Sequence, residues 1–186
     1  MLDVRGNRRL TTLVSALALL PLLAVLGYTV IRIRFHLQLH IFFGLWVMPP
    51  LLLKMASAGW RFLRYYSGDP RYRAAGPPAW GPRLAAPVVV VSTVVLFVSG
   101  VGLWLVGPGS DYSAWYDWHK GSFLVWFFAT AVHVLYHVEE LPAGVLEEVR
   151  EPAPGRLSRA GFLLASVVLG LIVAIVLTPL PTGWLD

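Results

Sequence analysis

Five long apolar stretches constrain the fold of this chain more than any other feature of its sequence. A transmembrane helix needs roughly 20 mainly apolar residues, and stretches near that length are predicted at residues 10–31, 37–58, 84–106, 118–138 and 160–178. Hydrophobic residues make up 57% of the 186 residues and charged residues only 13%. A soluble chain of this size could not bury so much apolar surface in one core. We therefore predict an integral membrane protein.

The fold class predicted from these spans is all-α, a membrane bundle of five transmembrane helices in a single domain that covers residues 1–186. Four of the helices are expected to form a core and the fifth to be an addition to it. The apolar run after Arg5, Arg8 and Arg9 is too long for the apolar region of a signal peptide and has no small-residue cleavage site after it. We expect it to remain as the first helix.

The distribution of basic residues predicts the direction of the helices. With the N-terminus inside, the inner segments carry eleven Arg and Lys residues and the outer segments carry three. Positive residues concentrate on the cytoplasmic side of membrane proteins. The sequence therefore predicts a multi-pass protein of the plasma (inner) membrane with its N-terminus in the cytoplasm and its C-terminus outside. Basic residues at the ends of apolar runs also argue against nucleic acid as a partner.

Ionisable side chains within apolar spans are costly and are therefore candidates for function. His119 and His133 are fourteen residues apart on the predicted fourth helix. Fourteen residues make about four turns and a rise of about 21 Å, so both imidazoles face nearly the same side. Two haems stacked across a membrane need this separation between their histidine ligands.

The second helix repeats the spacing, because His40 and Lys54 are also fourteen residues apart. In the predicted topology the second and fourth helices are parallel, which places His40 level with His119 and Lys54 level with His133. The outer level then offers two imidazoles, the ligand set of a low-spin b-type haem. At the inner level Lys54 could ligate iron, or it could pair with a haem propionate or a quinone oxygen.

Two further histidines and several glycines in or near the spans each have more than one possible role. His36 is expected to be solvated near the interface or bonded to a headgroup or a propionate, and His137 to be a backup ligand, a propionate partner or an interfacial residue. Gly44 and Gly121 could give a porphyrin room, or serve ordinary helix packing. In the segment SGVGLWLVGP, Gly100 and Gly102 are expected to be packing residues and Gly107 is expected to end the helix.

The stretches HIFFGLW (His40–Trp46) and WHKGSFLVWFFATAVHVLYH (Trp118–His137) resemble the haem-carrying helices of bacterial b-type cytochromes of the cytochrome b561-like group. The resemblance implies one or two haem b groups, with His40, His119 and His133 as iron ligands. Lys54 departs from the pattern, because a fourth histidine would be expected there. The resemblance also implies electron transfer between quinones and a partner redox protein, within membrane lipid.

The absence of cysteine and of known catalytic motifs excludes several kinds of chemistry. The chain has no cysteine, which excludes disulfides, iron–sulfur clusters and covalent c-type haem. No Ser–His–Asp set, phosphate-binding glycine loop or metal-hydrolase motif is present, so an electron-transfer subunit is favoured over an independent enzyme. The alternatives are a haem-free scaffold or assembly subunit, and a proton or solute transporter with a Lys54–His133 relay. Five helices without repeated halves argue against the transporter.

Overall fold

The computed structural model describes residues 3–77, 80–107, 112–151 and 153–178, and every regular element in these ranges is helical. The predicted C-terminal tail at 179–186 lies outside the described residues. The elements are α1 (Val4–Leu13), a π-helical turn (Val14–Leu19), α2 (Leu20–Ile31), α3 (Ile33–Tyr66), α4 (Pro70–Ala74), α5 (Trp80–Val106), α6 (Tyr112–His137), α7 (Glu140–Arg150) and α8 (Arg156–Leu177).

The all-helical membrane fold is confirmed at the level of the helices. Four continuous helical stretches are long and apolar enough to cross a membrane: Val4–Ile31, Ile33–Tyr66, Arg83–Val106 and Arg156–Leu177. The predicted fourth span corresponds to α6, which reaches the same standard only when it is counted together with α7. Polar residues in the first turns of α6, including Asp117, His119 and Lys120, dilute its apolar character.

Contacts divide the chain into two compact units. Among the described residues, unit 1 consists of 3–77, 139–151 and 153–178, and unit 2 consists of 80–107 and 112–138. Unit 1 therefore holds α1 to α4, α7 and α8, whereas α5 and α6 form unit 2. The prediction of a single transmembrane domain stays a prediction.

In unit 1, α3 folds back antiparallel on α1 and α2. The chain reverses where Arg32 (φ −114°, ψ 30°) and His36 (φ −130°, ψ 29°) leave helical values, between the first two predicted spans. Hydrogen bonds then join Thr29 to His40 at one end and Asn7 to Arg61 at the other. The residue numbers fall along the first helical arm, from 29 to 7, as they rise along the second, from 40 to 61. This order shows that the two arms are antiparallel.

The first span is continuous although Pro21 lies inside it. A proline has no N–H to donate, so an α-helix loses one backbone bond there. The π-helical turn Val14–Leu19 precedes it, and the Leu20 N–H donates to Ser15 O, one residue further back than in an α-helix. The altered register spreads the effect of the proline over one turn, which π-bulges commonly do in helices.

Helix α8 packs on α3 through a close contact between a glycine and a tryptophan. A Cβ atom on Gly170 would collide with the backbone oxygen of Trp46. The indole Nε1 of Trp46 donates to Val167 O at 3.0 Å. In lipid, small residues allow helix backbones to approach closely and interhelical hydrogen bonds then stabilise the pair.

A buried carboxylate joins three helices at one end of unit 1. Glu148 of α7 accepts from Nε and NH2 of Arg159 at 3.0 and 2.7 Å, and Arg159 is 0% exposed. The same carboxylate accepts from Arg9 of α1 at 3.3 Å, and Arg9 also pairs with Glu147. The beginnings of α1 and α8 therefore lie at the same end of unit 1.

A short turn after α3 contains the acidic N-cap of α4. Asp69 Oδ1 accepts from the backbone N–H of Arg71 at 3.0 Å, and its Oδ2 lies 2.8 Å from NH2 of Arg64. Burial by itself raises the pKa of Asp69, but the hydrogen bonds and charge of Arg71 and the charge of Arg64 outweigh it, and the pKa lies below its ordinary value.

Unit 2 is an antiparallel hairpin of α5 and α6 with glycines at its close contacts. A Cβ on Gly81 would collide with Tyr136, one on Gly102 with Trp115, and one on Gly100 would lie 3.0 Å from Cε1 of His119. Gly107 ends α5 with φ +62°, a value that favours glycine. The predicted packing roles of Gly100 and Gly102 and the helix end at Gly107 are confirmed.

We predict that Gly170→Ala weakens the contact between α3 and α8. The added methyl group must displace the backbone of Trp46, so the free energy of unfolding should fall by about 1–3 kcal/mol. Thermal unfolding in detergent measures the effect. Gly161→Ala is the matched control on the same helix, because a Cβ there has nothing within 4 Å; equal melting temperatures for the two variants would contradict the prediction.

We predict that Arg159→Met lowers the free energy of unfolding by about 3 kcal/mol. Among the described residues, the buried carboxylate of Glu148 would then keep only Arg9 as a charged partner. Arg156→Met is the control, since Arg156 is exposed on the first turn of the same helix. The double variant Glu148→Met/Arg159→Met should recover much of the loss, because no unpaired buried charge remains. Additive losses in the double variant would show that the two side chains do not act as a pair.

Candidate functional site

His40 is held by a hydroxyl on the neighbouring helix. Its Nδ1 lies 3.1 Å from Oγ1 of Thr29, which is 1% exposed. The Thr29 hydroxyl donates to Leu26 O at 2.6 Å, so its hydrogen is already used. Thr29 can then only accept from His40, which places the imidazole proton on Nδ1.

His119 is held in the same way within unit 2. Its Nδ1 lies 3.1 Å from Leu96 O and 3.3 Å from Oγ of Ser99. A carbonyl oxygen only accepts, so the bond to Leu96 requires the proton on Nδ1 of His119. Gly100, one turn after Leu96, leaves the space that the imidazole ring occupies.

Both predicted outer ligands therefore share one tautomer. In the neutral form of an imidazole with its proton on Nδ1, the lone pair lies on Nε2. Metal-ligating histidines almost always donate their other ring N–H to a carbonyl, carboxylate or similar acceptor, which fixes the ring and raises its basicity. The donor set of His40 and His119 thus fits an iron ligated through Nε2. His40 belongs to unit 1 and His119 to unit 2, and their pairing stays a prediction.

The predicted inner residues have different surroundings. His133 stacks edge to face with His137, with ring centroids 5.0 Å apart, as their spacing of one helical turn predicts. Lys54 is half-buried on α3, one turn before Ser57. It forms no ion pair with a carboxylate of the described residues. Lys54 and His133 lie in different units, and the inner pair also stays a prediction.

Unit 2 contains an apolar groove of about 880 Å³ between α5 and α6, within the usual range for sites that bind small molecules. Val91 and Val95 line one side, and Trp118 and Gly121 line the other. A Cβ on Gly121 would have nothing within 4 Å, and the predicted role of this glycine in giving a porphyrin room stays a prediction. His119 points to Leu96 and not into this groove.

Sequence reasoning missed Thr29, Leu96 and Ser99 as partners of the histidines. Hairpin geometry could have found them, because a reversal near residue 34 places position 40 opposite position 29. Within residues 3–77, 80–107, 112–151 and 153–178, no three His, Asp or Glu side chains form a group that could hold a metal ion.

Comparison of the chain with known proteins leaves its family open. No protein-family model, curated protein or solved structure matches it.

Proposed function

We propose that this chain is a membrane-bound b-type cytochrome that transfers electrons through one or two haems between a quinone and a partner redox protein. The observation that carries the proposal is the shared tautomer of His40 and His119. Each donates from Nδ1 to an acceptor on the neighbouring helix, the arrangement that prepares Nε2 for a metal.

In this proposal Nε2 of His40 and Nε2 of His119 would hold the outer haem. Haem supplies reversible one-electron exchange at its iron, and the axial ligands and their hydrogen bonds tune the potential. Thr29 and Leu96 hold the two rings and keep the proton on Nδ1. The inner haem would use His133, with Lys54 as a second ligand or as a partner for a propionate.

The proposed location is the plasma membrane with the N-terminus in the cytoplasm. Support comes from the excess of basic residues in the predicted inner segments. Arg9, Glu148 and Arg159 bring the beginnings of α1 and α8 to the same end of unit 1. The predicted topology also places these two beginnings on one side of the membrane, because three spans lie between the first and the fifth.

We predict that the protein purified in detergent after expression with adequate haem shows a Soret band and a reduced α-band. His119→Ala should remove the outer haem and lower the haem-to-protein ratio. Reduced-minus-oxidised spectra and a pyridine haemochrome assay measure both effects. His36→Ala is the control, because His36 is not among the predicted iron ligands and lies at the break in α3, with its ring beside Tyr28.

A colourless wild-type protein would overturn the cytochrome proposal and favour the haem-free scaffold. An unchanged spectrum in His119→Ala would contradict the ligand assignment alone. Circular dichroism and size-exclusion elution of each variant separate loss of haem from loss of fold.

We predict that Thr29→Val raises the midpoint potential of the outer haem and weakens haem retention by about tenfold, because His40 loses the acceptor that increases its basicity. Potentiometric titration gives the potential, and haem transfer to an apoprotein acceptor gives the retention. Thr93→Val is the matched control, since the Thr93 hydroxyl bonds only the backbone at Val89 O (2.6 Å). Identical potentials in the two variants would contradict a role for Thr29 in positioning His40.

A further inference from the structure

One arginine of unit 1 is clamped by neutral groups. NH1 of Arg61 donates to Asn7 O at 3.2 Å, to Asn7 Oδ1 at 2.8 Å and to Thr11 Oγ1 at 2.7 Å. Ser57 completes the cluster through hydrogen bonds of 2.9 Å to Asn7 Oδ1 and 2.8 Å to Thr11. Within the described ranges, Nε and NH2 of Arg61 have no hydrogen-bond partner.

Further positive charge surrounds this arginine without a matching carboxylate. Arg8 directly follows Asn7, the residue that holds Arg61, and Lys54 lies two turns before Arg61 on the same face of α3. Among the described residues, none of these three side chains forms an ion pair with Asp or Glu. Other arginines at this end of unit 1 do form such pairs: Arg9 with Glu147 and Arg64 with Asp69.

Clustered cations without an acid are stabilised by an anion, and the position of Arg61 indicates which kind. It lies just beyond the apolar residues of the second predicted span, where lipid headgroups meet the hydrocarbon. Its neighbours Phe62 and Leu63 are 58% and 63% exposed, and such apolar side chains suit contact with acyl chains. A guanidinium held by one nitrogen presents its remaining N–H groups in a fixed geometry that matches a phosphate.

We propose that Arg61, with Arg8, binds the phosphate group of an anionic phospholipid at this end of unit 1. Asn7, Thr11 and Ser57 act as positioning residues that hold the guanidinium before the lipid arrives, which reduces the entropic cost of binding. Basic clusters near the ends of transmembrane helices recognise anionic headgroups in this way. The site is independent of haem, because neither Arg61 nor Arg8 is a predicted iron ligand.

The test measures lipid retention by the full chain in nanodiscs that mix phosphatidylglycerol with phosphatidylcholine. Native mass spectrometry after release counts the phosphatidylglycerol that remains bound. Arg61→Gln and Arg8→Gln should each reduce this retention by about fivefold, the value expected for one basic residue near a headgroup. Arg64→Gln removes the same charge from the next turn of α3 and should retain lipid as the wild type does, because Arg64 is paired with Asp69.

Arg8→Gln keeps the proposal testable if Arg61→Gln fails to fold, since Arg8 is exposed and holds no other helix. The proposal would be overturned if folded Arg61→Gln retained as much phosphatidylglycerol as the wild type. If Arg61→Gln does not fold, the same result in Arg8→Gln would overturn it. An equal loss of phosphatidylglycerol in Arg64→Gln would also overturn it, because it would indicate a general effect of surface charge.

Inorganic phosphate provides the second arm of the test. Two results together would overturn the lipid assignment in favour of a free anion. One is phosphate binding to the protein in nanodiscs of phosphatidylcholine alone, and the other is displacement of phosphatidylglycerol by phosphate in the mixed nanodiscs. Haem content is measured on the same samples. Lipid loss at unchanged haem content is the expected result, and a colourless protein that still retains phosphatidylglycerol would overturn only the cytochrome proposal.

Discussion

The carboxylate of Glu148, buried between two arginines, is the interaction on which the arrangement of unit 1 depends. A carboxylate cannot be buried alone at acceptable cost, so Arg159 and Arg9 must both lie where Glu148 places them. That requirement brings together the beginnings of α1 and α8 although 150 residues of chain separate Arg9 from Arg159. With this end joined, α8 can pack along α3 through Gly170 and Trp46.

The antiparallel hairpins determine the chemistry of the two outer histidines. Each histidine lies opposite a hydrogen-bond acceptor on the preceding helix, Thr29 for His40 and Leu96 for His119. The same tautomer arises in both units from unrelated residues, a hydroxyl in one and a backbone carbonyl in the other. This common outcome gives the haem proposal its physical basis, since it concerns the ring nitrogen that a metal would use.

Much of the helical architecture was predictable because apolar length is a local property. The predicted boundaries at Ile31 and Val106 coincide with observed helix ends. The role of Glu148 was not predictable, because a charged residue in an amphipathic segment is usually solvated, and only its contacts show that it is buried. The partners of His40 and His119 were missed because spacing along one helix carries no information about what faces it.

The sequence by itself determined that this is a helical membrane protein and which ionisable side chains its spans contain. Hydrophobic length and residue identity suffice for both, since the cost of placing each group in lipid depends on that group alone. The tertiary structure decided which arginines are neutralised and which ring nitrogen of each outer histidine carries the proton. Those properties depend on distances of about 3 Å between groups far apart in the chain, and Arg61 differs from Arg159 only in what the fold places beside it.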